Sequence, residues 1–406
     1  MKKVKITQCR LCGSSDIELA VDLGFHPLAD TFLPEDLQYG PEASFPLQLG
    51  RCAPCGHVFT LYAVSPEDRY QKQDYSYDSS NSKVAIDHFG EFCQAALANH
   101  QLTQHARIVD IGSNVGTLLQ HFQAAGFPNV LGVEPSTNIA EIGRANGVST
   151  INAFFDDVAV NEIAKDGQIE LFLSSNVVNH ADDLPSLLEN VSRLLNPTGR
   201  FVFEVPYLLD LVQRTAFDTI YHEHVHYFAV KPLLACLERS GFSIEKVERL
   251  EYMCGSIRVY TKKGGVTSKA AKSLITDEEA FGLYEPETYR KFMGRVQAAK
   301  IRVNQALWQI RAAGGKVIGI GAATKGNTFL NYCRIDSDLV AYIADSSPLK
   351  IGKRTPGSHI PIVADDAIDL EATHALILPW NIADFLKLKL AHLQLKFYVP
   401  QVETLE

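Results

Sequence analysis

The segment RIVDIGSNVGT at residues 107–117 decides the fold, because it joins an apolar run to a Gly-rich turn and then to the start of a helix. The run 107–111, in which Ile108, Val109 and Ile111 are apolar, predicts a buried strand, and Gly112 and Gly116 predict a tight turn after it. The glycine spacing is Asp-x-Gly-x-x-x-Gly, which differs from the Gly-x-Gly-x-x-Gly fingerprint of dinucleotide sites. This order of elements predicts the ligand-binding end of a parallel α/β sheet. The spacing favours a ligand that places no phosphate on the turn.

The regions on both sides of this segment alternate between strand and helix patterns, which predicts an α/β fold with a doubly wound sheet. The expected strands are 107–111, 129–133, 170–174, 199–205 and 256–261, and the expected helices are 85–100, 117–125, 138–146 and 184–195. A polar linker at 262–272 leads to a long helix over 286–313. A second α/β block follows, with expected strands at 317–320, 339–344, 375–378 and 396–399. Two such blocks in one chain raise the hypothesis of a duplicated and diverged domain.

The acid that ends the second strand, Glu134 in LGVEP, is placed to accept hydrogen bonds from both hydroxyls of a ribose. Together with the Gly-rich turn and the order of elements, it resembles the class I S-adenosylmethionine-dependent methyltransferases, whose Rossmann-like fold we therefore expect. The alternative is a Gly turn in an unrelated α/β domain. The resemblance implies that S-adenosylmethionine is bound by Asp110, Gly112, Gly116, Glu134, Phe154, Phe155 and Asn176.

Length and composition limit the kinds of protein that the chain can be. Its 406 residues predict two or three domains, and 46% apolar with 21% charged residues indicates a globular chain. A formal net charge of −9 argues against nucleic acid or an anionic membrane surface as a partner. The basic N-terminus is not followed by the apolar region of a signal peptide, and no apolar stretch is long enough to cross a membrane. We therefore expect a cytoplasmic protein.

Four of the eight cysteines are paired in two Cys-x-x-Cys turns, Cys9 with Cys12 and Cys52 with Cys55, and each turn is followed by glycine. Two such turns supply four thiolates, which is the ligand set of a closed tetrahedral zinc site. The alternative is four buried cysteines whose spacing is a coincidence. A closed site of this kind predicts structural Zn²⁺ in an N-terminal domain, with no role in the chemistry.

The segment FDTIYHEHVHYF at residues 217–228 has the highest density of chemically active side chains. In an extended conformation His222, His224 and His226 would share one face and Glu223 would lie on the other. A second metal site and a structural histidine cluster are two possible interpretations. General acid–base catalysis is the third and fits best, since histidine titrates near neutral pH and a carboxylate can fix its tautomer.

The whole chain is similar to the three-domain sugar C-methyltransferases, which methylate C3 of nucleotide-linked 4-keto-6-deoxy sugars. The similarity rests on the paired Cys-x-x-Cys turns, the methyltransferase centre, the DTIYHEHV motif and the Gly-rich C-terminal block, and it covers essentially the full length. It implies that His224 removes the C3 proton, that Tyr221 stabilises the enolate oxygen and that Glu223 orients groups in the site. It also implies active-site roles for His180, which faces the methyl acceptor, and for Tyr75. The chain departs from the family at Cys254, where glycine is usual, and this changes the expected pocket wall.

The C-terminal block contains a second strand, Gly-rich turn and helix, in VIGIGAATKGNT at 317–328. Lysine and threonine in such a turn favour binding of phosphates, here the diphosphate of a sugar nucleotide. The alternative is a duplicated domain that only packs against the rest of the chain. The expected substrate-binding residues are Thr324, Lys325, Asn327, Lys350 and Lys353.

The motifs together predict three domains. Zinc binding is expected at 1–73, a class I methyltransferase domain at 74–265 and a second Rossmann-like α/β domain, which docks the sugar nucleotide, at 266–406. A dTDP-linked substrate is favoured, with a monomer as one option for the assembly. Two other functions stay open at this point, an O- or N-methyltransferase of another small molecule and a non-catalytic zinc-domain binding module.

Overall fold

The computed structural model describes residues 3–35, 42–71 and 74–400. The expected domain boundary at residue 73 and the two chain ends lie outside these residues. The strands are β1 Lys3–Lys5, β2 Ile17–His26, β3 Leu33–Pro34, β4 Phe45–Cys52, β5 Val58–Thr60, β6 Tyr62–Val64, β7 Ile108–Ile111, β8 Val130–Val133, β9 Thr150–Ile151, β10 Ile169–Ser175, β11 Leu195–Pro206, β12 His226–Tyr227, β13 Phe242–Leu250, β14 Ser256–Lys263, β15 Val317–Ile320, β16 Ile343–Asp345, β17 Lys353–Arg354, β18 Ile362–Ala364, β19 His374–Ile377 and β20 Lys396–Tyr398. The helices are α1 Pro66–Tyr70, α2 Lys83–Asn99, α3 Thr117–Ala124, α4 Thr137–Ala145, α5 Asp157–Ala164, α6 Leu184–Leu194, α7 Leu208–Gln213, α8 Val230–Arg239, α9 Lys269–Phe281, α10 Pro286–Ala312, α11 Thr324–Cys333 and α12 Ala383–Lys389.

The central sheet has seven strands in the order β13-β14-β11-β10-β7-β8-β9. The strands from β11 to β9 are parallel, and β14 and β13 extend the sheet in antiparallel pairing. All four residues of β7 are buried, as a parallel strand covered by helices on both faces requires. The carboxyl ends of β7 and its neighbours therefore meet at one edge, where doubly wound sheets bind ligands. The predicted class I fold of the centre is confirmed.

The N-terminal part forms a four-stranded sheet in the order β12-β5-β4-β2. Its edge strand β12 comes from the His-rich segment of the central domain, and it pairs antiparallel with β5 through His226 opposite Phe59 and Tyr227 opposite Val58. The sheet is thus shared between two domains. Its inner face is apolar, because Leu47 and other residues of β4 are buried.

The C-terminal part is a parallel sheet in the order β18-β16-β15-β19-β20, as a Rossmann-like block requires. Two expectations for this part are wrong. The supposed strand at 339–344 is reduced to β16. Leu339 and Val340 lie in a turn instead, where their backbone amides donate to the carbonyl of Asp336 and their side chains are buried. The supposed polar linker at 262–272 contains the start of α9, which buries Ala271.

The three parts share one hydrophobic core, which includes Leu47, Phe172 and Ile377 from their respective sheets. A short antiparallel pair of β17 with β3 also joins the C-terminal part to the N-terminal part. Within residues 3–35, 42–71 and 74–400, none of the helices has the length and apolar character that crossing a bilayer needs.

Candidate active site

A cavity of about 830 Å³ lies at the carboxyl ends of β7, β8 and β10. It continues to the first turn of α11 and to α12, so that residues from both α/β blocks line its wall. Asp30 of the N-terminal part and the loop at Tyr75 close a third side. A large cavity at the switch point of a doubly wound sheet is the expected position for a ligand.

The Gly-rich turn after β7 has a backbone that glycine alone adopts without strain. Gly112 has φ +72° and Gly116 has φ +84°, both in the left-handed region. A Cβ atom at Gly112 would also collide with the side chain of Val177, and one at Gly116 with Val148. The tight glycine turn that the sequence predicts is therefore present, and its backbone is open to close approach by a ligand.

The two acids beside this turn are both buried. Glu134 accepts hydrogen bonds from the amides of Asn114, at 3.1 Å, and Ser136, at 2.8 Å, so its carboxyl group is held in one orientation. Burial and the neighbouring Glu134 raise the pKa of Asp110 to about 8. Asp110 Oδ1 and Ser113 Oγ have no hydrogen-bond partner within the part of the chain that the structure describes. The free hydrogen-bonding capacity of these atoms is available to a polar ligand at the turn.

Three more of the predicted cofactor residues, Phe154, Phe155 and Asn176, line the same cavity, whereas Gly116 is not among its lining residues. Phe154 lies 6.5 Å from Tyr70, ring centre to ring centre, and Phe155 packs edge-on against Phe172 at 5.8 Å. Asn176 follows β10 with φ +56°, and its buried Oδ1 has no partner among the described residues. Aromatic rings, hydroxyl-binding carboxylates and free polar atoms together fit S-adenosylmethionine, which has an adenine, a ribose and a charged amino acid end.

His224 and Tyr221 form a hydrogen-bonded pair in the wall of the cavity. His224 Nδ1 donates to the carbonyl of Thr219 at 2.9 Å, so its hydrogen lies on this nitrogen. Its Nε2 then accepts from the hydroxyl of Tyr221 at 2.6 Å. Burial lowers the pKa of His224 to about 3, which keeps the ring neutral at physiological pH. The pair thus presents a neutral imidazole base and a phenol donor.

His180 lies beside this pair, with its ring centre 5.0 Å from that of His224. Its Nδ1 is 2.8 Å from the hydroxyl of Tyr70, and its buried Nε2 has no partner among the described residues. Burial lowers its pKa well below the usual value. Tyr75 packs edge-on against Tyr70 at 5.5 Å and also lines the cavity. Tyr70 was missed from the sequence, because no motif marks a tyrosine at the end of a short helix.

The prediction that the three histidines of the His-rich segment share one face is wrong. The chain turns before the short strand β12, since the amide of His224 donates to the carbonyl of Tyr221. His222 points instead at the carbonyl of Pro46, and His226 Nδ1 contacts His57 Nε2 at 2.9 Å. Of the three, only His224 lines the cavity. Glu223 lines the cavity too, although the sequence predicted it on the face opposite His224.

The four cysteines of the two turns come together as predicted. The Sγ atoms of Cys9, Cys12, Cys52 and Cys55 all lie within 4.8 Å of one another. The contacts of 3.6 Å between Cys9 and Cys55 and of 3.4 Å between Cys12 and Cys52 approach the spacing of about 3.8 Å that a tetrahedral zinc with Zn–S bonds of about 2.3 Å requires. Four thiols and no other ligand type fit a structural zinc ion.

The C-terminal end of the cavity carries three of the five predicted substrate-binding residues. Lys325 Nζ donates to Asn381 Oδ1 at 2.5 Å and lies 4.4 Å from the ring centre of Trp380. Thr324 donates its hydroxyl hydrogen to Asp30, and Lys350 Nζ donates to a backbone carbonyl at 2.9 Å. These side chains place hydrogen-bond donors in the cavity wall, although each already has a partner.

The other two predicted substrate-binding residues do not line the cavity. Asn327 is buried and its amide donates to the carbonyl of Ala29 at 2.7 Å, which ties α11 to the N-terminal part. Lys353 lies in β17, paired with Pro34. Cys254, the departure from the family pattern, does line the cavity, with its Sγ 3.2 Å from Lys325 Nζ.

Comparison with known proteins matches three successive sections of the chain. A family model described as a methyltransferase domain matches residues 85–247, one described as a C-methyltransferase C-terminal domain matches 252–398, and a zinc binding domain model matches 9–70. C-methyltransferase NovU from Streptomyces niveus is 32% identical over 383 residues, which cover 93% of this chain and 90% of that protein. An O-methyltransferase of ubiquinone biosynthesis from Rhodopseudomonas palustris is 32% identical over 97 residues, covering 24% of this chain and 38% of that protein.

Among solved structures, an S-adenosylmethionine-dependent methyltransferase from Mesorhizobium loti aligns with 20% identity and a TM-score of 0.35, over 44% of this chain and 100% of that chain. One from Clostridium acetobutylicum aligns with 15% identity and a TM-score of 0.37, over 44% of this chain and 92% of that chain. The identity to NovU extends over nearly the whole chain, and the three family models match in order along it. The chain therefore belongs to the family of S-adenosylmethionine-dependent C-methyltransferases that carry an N-terminal zinc-binding domain.

Proposed function

We propose that this enzyme removes the C3 proton of a nucleotide-linked 4-keto-6-deoxy sugar, with dTDP as the favoured nucleotide, and methylates the resulting enolate in branched deoxysugar biosynthesis. The observation that carries the proposal is the pair of Tyr221 and His224 in a cavity that both Gly-rich turns also line. A C-methyltransferase needs a carbon nucleophile, and a neutral base beside a phenol donor can make one next to a ketone.

The proton transfer follows from the tautomer of His224. Because Nδ1 is bonded to the carbonyl of Thr219, only Nε2 has a lone pair for the C3 proton. When Tyr221 shifts its hydrogen bond from Nε2 to the ketone oxygen, it opens Nε2 and places a donor where negative charge develops. The C3–H bond then breaks, the proton goes to Nε2, and the electron pair enters the enolate.

The base is weak in the free enzyme, since burial lowers the pKa of His224. The enolate formed beside it is negatively charged, and a nearby negative charge raises the pKa of the imidazole and so favours the imidazolium. The chemistry that bound S-adenosylmethionine supplies is an electrophilic methyl group for the C3 carbanion. Asp110, Glu134 and the turn at Gly112 would hold that cofactor, and His180 lines the same cavity beside His224.

The C-terminal domain is proposed to hold the sugar nucleotide. Thr324 at the start of α11 and the amino groups of Lys325 and Lys350 line the part of the cavity away from the Gly112 turn. A helix N-terminus with nearby cations favours phosphate. The zinc-binding domain then serves structure, and its cysteines take no part in the reaction.

Hydrogen exchange at C3 tests the proposal without the methyl donor. The enzyme is incubated with a dTDP-4-keto-6-deoxy sugar in heavy water, and the C3–H signal is followed by NMR. We expect the signal to disappear with the wild-type enzyme. If the sugar binds and the C3–H signal persists, the carbanion mechanism is wrong for that substrate, and O- or N-methylation becomes the better interpretation.

A pair of matched variants assigns the base. His224→Asn is expected to abolish the exchange, because it removes the only imidazole that faces the phenol of Tyr221 among the described residues. His222→Asn changes a buried histidine of the same segment that does not line the cavity, and it should keep the exchange. Calorimetry with S-adenosylmethionine checks that both variants are folded. Exchange that survives in His224→Asn would remove His224 from the role of base.

A further inference from the structure

Asp30 lies where three segments that are far apart in the sequence meet at the cavity. Its Oδ1 accepts hydrogen bonds from the hydroxyls of Ser76, at 2.8 Å, and Thr324, at 2.7 Å, and its Oδ2 accepts from the amide of Ser76 at 3.0 Å. Its own amide donates to Glu223 Oε1 at 3.3 Å. Asp30 is only 7% exposed. One buried residue therefore joins the N-terminal domain to the Tyr75 loop, the His-rich segment and helix α11.

Only one carboxyl oxygen of Glu223, the residue that the amide of Asp30 contacts, has a hydrogen-bond partner among the described residues. Glu223 Oε1 takes the amide of Asp30, whereas Oε2 is buried in the cavity wall and has no hydrogen-bond partner in the described parts of the chain. Burial first and the charge of Asp30 second raise the pKa of Glu223 to about 7, although the guanidinium of Arg69 acts in the opposite direction. The free oxygen is therefore available to a ligand, and near neutral pH it carries a hydrogen in a large fraction of molecules.

The groups that face Glu223 come from several elements. From α1 it faces Arg69, whose guanidinium lies 3.5 Å from the carbonyl of Glu223. Around it are four phenols with pKa values raised by burial, so that they are neutral at physiological pH. These phenols belong to Tyr70, Tyr75, Tyr221 and Tyr227. Asp30 is thus the negative charge that acts on Glu223, and Arg69 is the positive one.

We propose that Asp30 is a positioning residue for Glu223: its amide holds Oε1, so that the unpartnered Oε2 in the cavity wall can hydrogen-bond to a hydroxyl or ketone oxygen of the substrate. The negative side chain of Asp30 also favours the protonated form of Glu223, which can donate this hydrogen bond. The identity of that substrate rests on the proposed function. The effect on Glu223 does not, because it is a property of the enzyme without any ligand. A residue that only joined domains would not change how Glu223 titrates.

Infrared difference spectroscopy of the ligand-free enzyme tests this effect directly. The protonated carboxyl band that is lost in Glu223→Gln reports the titration of Glu223. In Asp30→Asn the neutral amide keeps an acceptor oxygen but removes the charge, so the midpoint of this band should fall by about one pH unit. An unchanged midpoint in folded Asp30→Asn, or a rise, would overturn the proposal.

Two controls separate charge from structure. Asp345→Asn removes another carboxylate from the same cavity, one that does not act on Glu223, and the midpoint should stay where it is in the wild-type enzyme. Ser76→Ala removes the hydroxyl hydrogen bond to Asp30 but keeps the amide hydrogen bond and the charge of Asp30, and it too should leave the midpoint unchanged. Circular dichroism checks folding. If Asp30→Asn does not fold, Asp30→Ser keeps the backbone contact, removes the charge and carries the same expectation.

A kinetic measurement connects the effect to the reaction. If protonated Glu223 is the active form, the rate of methyl transfer falls as pH rises through its pKa, and in Asp30→Asn this fall should begin at lower pH by the same amount as the infrared shift. An infrared shift without a shift of the pH profile would overturn the role in the reaction. If the wild-type enzyme methylates no keto sugar while the infrared shift occurs, the proposed function fails and the action of Asp30 on Glu223 stands.

Discussion

At the scale of single residues, the chemistry depends on which ring nitrogen of His224 carries the hydrogen. The contact with the carbonyl of Thr219 fixes it on Nδ1, and this leaves the lone pair on Nε2, the atom proposed as the base. The motif around Tyr221 was sufficient to name both partners from the sequence. The tautomer of His224 was not predictable, because it depends on the backbone carbonyl of Thr219. The contact of Tyr70 with His180 was not predictable either, because the two residues are 110 positions apart in the sequence.

The low pKa of His224 predicts an unusual pH dependence. An ordinary histidine base loses activity as pH falls through about 6.5, because its ring takes up a proton. With a pKa of about 3, the ring of His224 stays unprotonated through this range. The rate of C3–H exchange should therefore hold steady on the acid side down to about pH 5, as NMR measurements at fixed sugar saturation can show. A fall centred near the usual histidine value would contradict the assignment.

The Gly112 turn gives a second prediction at this scale. Gly112→Ala should weaken binding of S-adenosylmethionine by tenfold or more, about 1.4 kcal/mol, because the added Cβ is strained at φ +72° and collides with Val177. The matched control is Gly126→Ala, since Gly126 has φ +91° but open space around it. Both variants carry the backbone strain, and calorimetry should show weakened binding only for Gly112→Ala. Equal affinities would argue that the turn does not contact the cofactor.

At the scale of elements, the strand pair of β5 and β12 connects the zinc site to the catalytic segment. The carbonyl of His57 accepts from the amide of Cys52 at 2.8 Å, and the His57 ring contacts His226 at 2.9 Å. His226 in turn donates to the carbonyl of Ala181, the neighbour of His180, at 2.8 Å. The regular alternation of histidines could not reveal this arrangement, because the chain turns before β12. As a result His224 lines the cavity, whereas His222 and His226 contact Pro46 and His57 of the N-terminal part.

Removal of zinc should therefore disturb the active site. With a chelator, we expect faster hydrogen exchange of the backbone amides at 225–228, measured by mass spectrometry, together with loss of C3–H exchange. The reason is that β12 has β5 as its partner strand and that β5 follows directly on the second cysteine turn. Cys236→Ser is the control, because Cys236 is a buried cysteine outside the four-thiol cluster, and this variant should retain zinc and wild-type exchange. Unchanged amide exchange after proven zinc loss would contradict this connection.

At the scale of the whole molecule, the C-terminal domain packs directly on the His-rich segment, and residues of both line the cavity. Trp380 donates to Asp218 at 2.8 Å, and Thr328 donates to the carbonyl of Ile220 at 2.9 Å. The three-part organisation and the two Gly-rich turns could be predicted, since each has a local signature. The meeting point at Asp30 could not, because its partners come from distant segments and no pattern within any one of them shows it.

Two lysines that were both predicted to bind the substrate lie in different places in the structure. Lys325 lines the cavity, whereas Lys353 lies in a strand pair away from it. Lys325→Met should weaken dTDP binding about tenfold, the effect of losing one charged hydrogen bond of about 1.4 kcal/mol, and Lys353→Met should leave it unchanged. Calorimetry with dTDP measures both. Equal losses in the two variants would move the nucleotide site away from the first turn of α11.

The proposed reaction joins a methyl group to carbon C3 of a keto sugar. The most direct measurement uses S-adenosylmethionine with a ¹³C-labelled methyl group and a dTDP-4-keto-6-deoxy sugar, followed by carbon–proton correlation NMR of the product. We predict a labelled methyl carbon that correlates with the ring positions around C3 and a C3 that has lost its proton. A labelled methyl bound to oxygen or nitrogen, with the C3 proton retained, would contradict the account.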